Sequence, residues 1–211
     1  MKNFARKVKH VLVSPSNFFE KVKKEKGLKH PIRYIVVFLL ITQLFMVFYY
    51  FKHTFARFGF DINLSLANYI SVYILTTIFV LFISFIRPAL TNFFIRMFSD
   101  DNKFEDTYKA MIYGLTPDYL ATPFFVITMI FLSATILLKN NFFLLIFIIS
   151  AIITIIAAIY TLYLRIYGVA KLHKISMVKS FLCIYIFPLL LIIVIEIIIL
   201  LLFFVYLKIK A

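Results

Sequence analysis

The chain has 211 residues, of which 64% are hydrophobic and only 15% charged, with 27 Phe, 13 Tyr, no Trp and a formal net charge of +14. Ordinary globular domains carry about 45–50% apolar residues, and too little polar surface remains here to cover a soluble core of this composition. Four glycines leave no phosphate-cradling loop, the lone Cys183 excludes an intrachain disulfide, and His10, His30, His53 and His173 are too scattered for ligand spacing. The class that remains is an all-α membrane protein without catalytic chemistry, for which no cofactor is expected.

In chain order, residues 1–33 form a basic segment with ten Lys or Arg. Phe4, Val8, Val11 and Leu12 recur at helical spacing, with Lys2, Arg6, Lys7 and Lys9 off that stripe. Ser14-Pro15 then offers a cap and a first-turn proline for a second helix, which should turn Phe18, Phe19 and Val22 inward and end at Gly27. A basic amphipathic segment beside a bilayer attracts anionic headgroups. No aromatic residues interleave its lysines, so nucleic acid is not an expected partner.

A hydrocarbon core about 30 Å thick needs about 20 apolar residues in a helix. Five stretches meet or approach that length: 34–51, 67–86, 119–138, 142–163 and 181–207. Between the second and third, Pro88 can start a helix with Leu90, Phe93, Phe94, Met97 and Phe98 on one stripe, which reads as an amphipathic helix lying in the interface. The residues at 99–102 cap a further helix that carries Phe104, Tyr108, Met111, Ile112 and Leu115 on one face and ends near Gly114 and Pro117. Asp100, Asp101, Glu105 and Asp106 invite a Mg²⁺ reading, but acids at a helix N-terminus also answer the helix dipole. Lys139-Asn140-Asn141 is short enough to force a tight hairpin between the third and fourth spans.

The connecting loops set the orientation. With the N-terminus inside, 18 Lys or Arg fall on the cytoplasmic side, in residues 1–33, 87–118 and 164–180, and 5 fall outside. The expected topology is a cell-membrane protein with a cytoplasmic N-terminus, a five-span domain over 34–211 and an outside C-terminus.

Each span brings a hydrogen-bonding side chain near mid-depth: Gln43, Thr77, Thr128, Thr154 and Glu196. A glutamate at that depth costs about 2.5–3.5 kcal/mol or more if charged, so Glu196 is expected to be protonated or water-linked, to face the bundle and to meet Gln43. That constellation carries the alternative reading, a small transporter or channel.

Three connections resemble a known family. Lys103–Ala110 (KFEDTYKA) followed by Ile112–Pro117 (IYGLTP) is similar to the motif before the third span of the Yip (Ypt-interacting-protein) family. Ser14–Phe19 with Gly27–Pro31, and Tyr167–Ser176 (YGVAKLHKIS), are similar to its stretches before the first and fifth spans. The resemblance implies a bundle of five helices. Eukaryotic relatives work in vesicle trafficking and contact prenylated small GTPases. This chain lacks their Asp-Leu-Tyr-Gly-Pro element and looks like the prokaryotic branch. The expected function is membrane organisation, with anionic headgroups or a protein partner docking on the cytoplasmic loops through Glu105, Asp106, Tyr108, Lys109, Tyr113, Gly114, Pro117, Gly168 and Lys171. Oligomeric state is left open.

Overall fold

The computed structural model describes residues 2–57, 66–99, 102–139 and 141–210. All regular structure among them is helical. In order these are α1 (Lys2–Val13), α2 (Pro15–Lys23), α3 (Lys29–Arg57), α4 (Leu66–Ile95), α5 (Phe104–Gly114), α6 (Thr116–Leu138), α7 (Asn141–His173), α8 (Met177–Phe181), a π turn (Leu182–Ile186) and α9 (Phe187–Lys210). Five helices are long and apolar enough to cross a membrane: α3, α4, the α5–α6 stretch, α7 and the rod from α8 to α9. The five expected spans fall within them. Asp100, Asp101 and Asn140 lie outside the described residues.

The helices differ from the expected spans at their ends. Inside lipid every backbone polar group must bond within its own segment, so a helix that crosses has no reason to stop where apolarity stops. Thus α7 runs on through 164–173, a stretch expected as loop, and Leu164, Val169 and Leu172 are buried there. It ends in a Schellman turn built without glycine: Lys174 takes φ 55° and the Ile175 amide donates to the Ala170 carbonyl at 3.1 Å. Likewise α4 passes through Pro88 to Ile95, so Pro88 starts no separate interfacial helix. The end of α4 is held by packing, with Ile95 buried and Phe94 5.4 Å from Phe187.

The third and fourth spans form the expected hairpin. Lys139 sits at φ 48°, Phe131 meets Phe143 at 5.7 Å, and the Thr128 hydroxyl lies 2.9 Å from that of Ser150. Tyr73 on α4 donates to the Leu40 carbonyl at 2.7 Å and so ties α4 to α3. In the last rod Pro188 has no N–H for the carbonyl one turn back. The preceding turn widens to π geometry where that bond is missing.

The densest packing lies at one end of the bundle. There α1, α2 and α5 join the near ends of α3, α4 and α7 around one core, which includes Val11, Phe19, Ile35, Tyr108, Met111, Leu164 and Cys183. This cap shares its core with the spans, so residues 4–33 are packed into the same body as the rest. Phe18, Phe19 and Val22 are buried as their spacing predicts.

Candidate functional site

The cap is organised by a lysine clamp. On α5, Glu105, Asp106 and Lys109 share one face because they stand three and four residues apart. Lys109 is buried. Its ammonium donates to the Glu25 carbonyl at 2.6 Å and to Asp106 at 3.3 Å, and lies 3.7 Å from Glu105. Glu105 in turn accepts from the Gly27 amide at 3.0 Å. Gly27 has φ +75°, a left-handed conformation that suits glycine, so the α2–α3 link is a fixed turn gripped by α5.

Further bonds close the same assembly. Lys7 on α1 donates to Glu25 at 2.7 Å and to the Tyr113 hydroxyl at 3.2 Å. Lys23 donates to the Leu172 carbonyl at 2.8 Å, and Lys171 pairs with Glu20 at 2.7 Å. Tyr113 packs edge-on against Phe18 and Tyr34, at 5.0 and 4.9 Å. Tyr34 shares a hydrogen bond with Thr116 at 2.7 Å.

Two glycines let α7 approach closely. A Cβ on Gly114 would stand 2.7 Å from the Arg165 Cγ and 3.0 Å from its backbone nitrogen. A Cβ on Gly168 would stand 2.7 Å from the Phe19 ring and 3.2 Å from Ala110. Beside these contacts runs a buried polar chain. Thr107 donates to the Asn92 side-chain oxygen at 2.7 Å, and its hydroxyl lies 2.9 Å from His173 Nε2, so His173 donates to it. Asn102 donates to the Asn92 carbonyl at 3.0 Å. Replacing Thr107 with Val keeps the shape but strands Asn92 and His173. Thermal unfolding in detergent should show a loss of about 1–3 kcal/mol; an unchanged melt would mean the chain is not a tie between α4, α5 and α7.

A family model described as the Yip1 domain matches residues 9–206, nearly the whole chain. The chain belongs to the Yip1 domain family. No curated protein and no solved structure matches it.

Within this Yip1 domain the residues expected to form a docking surface are mostly interior. Asp106, Tyr108, Lys109, Tyr113, Gly114, Pro117 and Gly168 are buried, whereas Glu105 is exposed and Lys171 half-buried. Lys109 is therefore no surface lysine; it is the centre of the clamp. The segment before the third span builds the cap from inside. What reaches solvent is the set of side chains around it, which motif reading passes over: Arg6, Lys9, His10, Lys21, Lys24, Lys26, Lys29 and Arg33. Their signal is the alternation of basic with buried side chains, which already sets Arg6 and Lys9 off the apolar stripe.

Lys171 also sets the charge state of its partner. Its hydrogen bond and charge hold the Glu20 carboxyl below the ordinary carboxylate range. A lowered folded pKa stabilises above the unfolded value and is lost as pH falls through the folded one. Glu20 is exposed and Lys171 only half-buried, so solvent screens the pair. Lys171→Gln should leave the melting temperature unchanged at neutral pH and remove what pH dependence this link has. A large drop would place Lys171 in the core.

At mid-depth the threonines bond their own helices. Thr77 donates to the Tyr73 carbonyl at 2.7 Å, Thr128 to Phe124 at 2.8 Å and Thr154 to Ser150 at 2.9 Å. Gln43 is half-buried on α3. Glu196 is exposed on α9, which packs against α4, and the structure does not bring it to Gln43. The expected inward orientation fails because α9 is apolar all round and no polar stripe selects an inner face. Among the described residues no three His, Cys, Asp or Glu side chains converge as metal ligands would; Glu105 and Asp106 engage Lys109 and Gly27 instead.

Proposed function

We propose that this Yip1-domain protein is a non-catalytic membrane organiser whose cap faces the cytoplasm and docks on anionic headgroups. One observation carries the reading. Four acids of the cap are each engaged by a lysine within it: Glu20 by Lys171, Glu25 by Lys7, and Glu105 and Asp106 by Lys109. The exposed cations around them keep their charge for an outside partner. Basic residues near an anionic bilayer contribute about 1 kcal/mol each, so the seven exposed Lys and Arg of the cap suffice for salt-sensitive docking. The fixed cap also explains why the positive charge is held in place rather than carried on a loose tail.

The test is vesicle capture. Proteoliposomes displaying the cap should retain phosphatidylglycerol vesicles and release them at about 1 M salt, where the screening length falls to about 3 Å. Phosphatidylcholine vesicles should not be retained. Capture that ignores lipid charge would overturn the reading.

A further inference from the structure

Three clefts lie side by side around α1. The first, about 330 Å³, opens between α1, α2 and the start of α3, and Arg6, Lys7, His10, Lys21, Glu25 and His30 line it. Lys7 and Glu25 neutralise each other at 2.7 Å. Arg6 and Lys21 have no ion pair among the described residues, so the cleft keeps two unopposed cations and two imidazoles. The second, about 540 Å³, follows the outer side of α1 past Lys9, Val13 and Ser14. The third, about 550 Å³, is apolar: Phe4, Val8 and Leu12 face Ile41, Leu120 and Pro123 on the near ends of α3 and α6.

Neighbouring clefts share lining residues. Arg6 and His10 border the first and second, and Ala5, Lys9 and Val13 border the second and third. Around one helix the lining therefore passes from cationic to hydrocarbon. The apolar end opens where a bilayer would meet it, since Val13, Ile41 and Leu120 are all exposed there. α1 cannot collapse into the groove, because Tyr160 donates to the Leu12 carbonyl at 2.6 Å and the Phe4 ring sits 5.1 Å from both Tyr34 and Phe38.

We propose that α1 is straddled by a single anionic phospholipid, with its phosphate held by Arg6 and Lys21 and one acyl chain in the groove under Phe4, Val8 and Leu12. The two ends of the site require the two ends of that molecule. Arg6 offers planar paired donors to phosphate oxygens, and His10 and His30 supply further ring nitrogens. A free phosphate would leave the apolar groove unused, and a zwitterionic lipid would bring a cation to a cleft that is already positive. The volumes fall in the range of small-ligand sites, roughly 300–1,000 Å³. This inference rests on the lipid-docking reading above and narrows it to one bound molecule.

Native mass spectrometry on the full chain in neutral detergent tests it with short-chain phosphatidylglycerol. One lipid should be retained, and retention should fall roughly thirtyfold in Arg6→Gln with Lys21→Gln. Arg96→Gln with Lys103→Gln, equally exposed cations outside the clefts, should change nothing. Ala5→Trp, which fills the junction of the second and third clefts, should also reduce binding without touching a charge. Phosphatidylcholine of the same chain length should not be retained, and inorganic phosphate should not compete. Equal loss from both cation pairs, equal retention of phosphatidylcholine, displacement by inorganic phosphate, or indifference to Ala5→Trp would each overturn the site. Loss of vesicle capture with the lipid still bound would sink the docking reading and leave the site standing. Loss of the lipid with capture intact would do the reverse.

Discussion

Lys109→Met is expected to destabilise the protein by about 3–5 kcal/mol, a fall of roughly ten degrees or more in the detergent melting temperature. The side chain is almost the same length, so little packing changes. What changes is charge: Asp106 is left inside the cap without the ammonium at 3.3 Å, and the Glu25 carbonyl loses a 2.6 Å bond. Removing one partner of a buried pair costs more than removing both, because the survivor is an uncompensated charge. Lys109→Met with Asp106→Asn should therefore recover part of the loss. A single variant that melted with the wild type would show that the clamp is decorative.

Gly114→Ala should also destabilise, and here two effects oppose each other. Alanine gains at most about 1 kcal/mol over glycine in a helix interior, and less at Gly114, the last residue of α5. Against that, the new methyl would sit 3.0 Å from the Arg165 backbone nitrogen and 3.1 Å from its Cα, atoms of a buried helix that cannot swing aside as a side-chain tip could. Overpacking of this kind costs about 1–3 kcal/mol. The overlap should win, and the melting temperature should drop by several degrees. If it rose, α5 and α7 would not be in the close contact described. Gly168→Ala meets a ring rather than backbone, so pairing it with Phe19→Leu should relieve the strain; no such rescue exists for Gly114.

The five crossings were legible because hydrophobic length reports membrane thickness directly. Stretches such as 142–163 contain no charge, and one physical requirement explains them. The helix ends were not legible, since thickness says nothing of where a helix stops once it leaves lipid. Residues 164–173 carry Arg165, Lys171 and His173, so they read as a polar connection, yet they continue α7 and bury Leu164, Val169 and Leu172. Lys109 misled for a related reason. A lysine on an amphipathic helix is nearly always solvated. The arrival of the Glu25 carbonyl, 84 positions away, adds to Asp106 the second acceptor that lets it go inside. Glu196 shows the converse limit. Depth along a helix can be counted from its ends, but azimuth needs an uneven face, and residues 189–203 are apolar all round except for Glu196 itself.

The widened turn at Leu182–Ile186 has a bearing on that azimuth. A π turn holds an extra residue relative to a standard one, and each residue advances a helix by about 100°. Everything beyond Pro188 is therefore rotated as a block by more than a quarter revolution from where an uninterrupted screw would have left it. Closing the turn to α geometry with every residue kept would swing the whole outer rod and carry Glu196 to a new bearing, whereas deleting one residue from the turn would remove the widening and leave that bearing unchanged. The compass heading of the last crossing is thus set by a local defect at its root rather than by anything along its length.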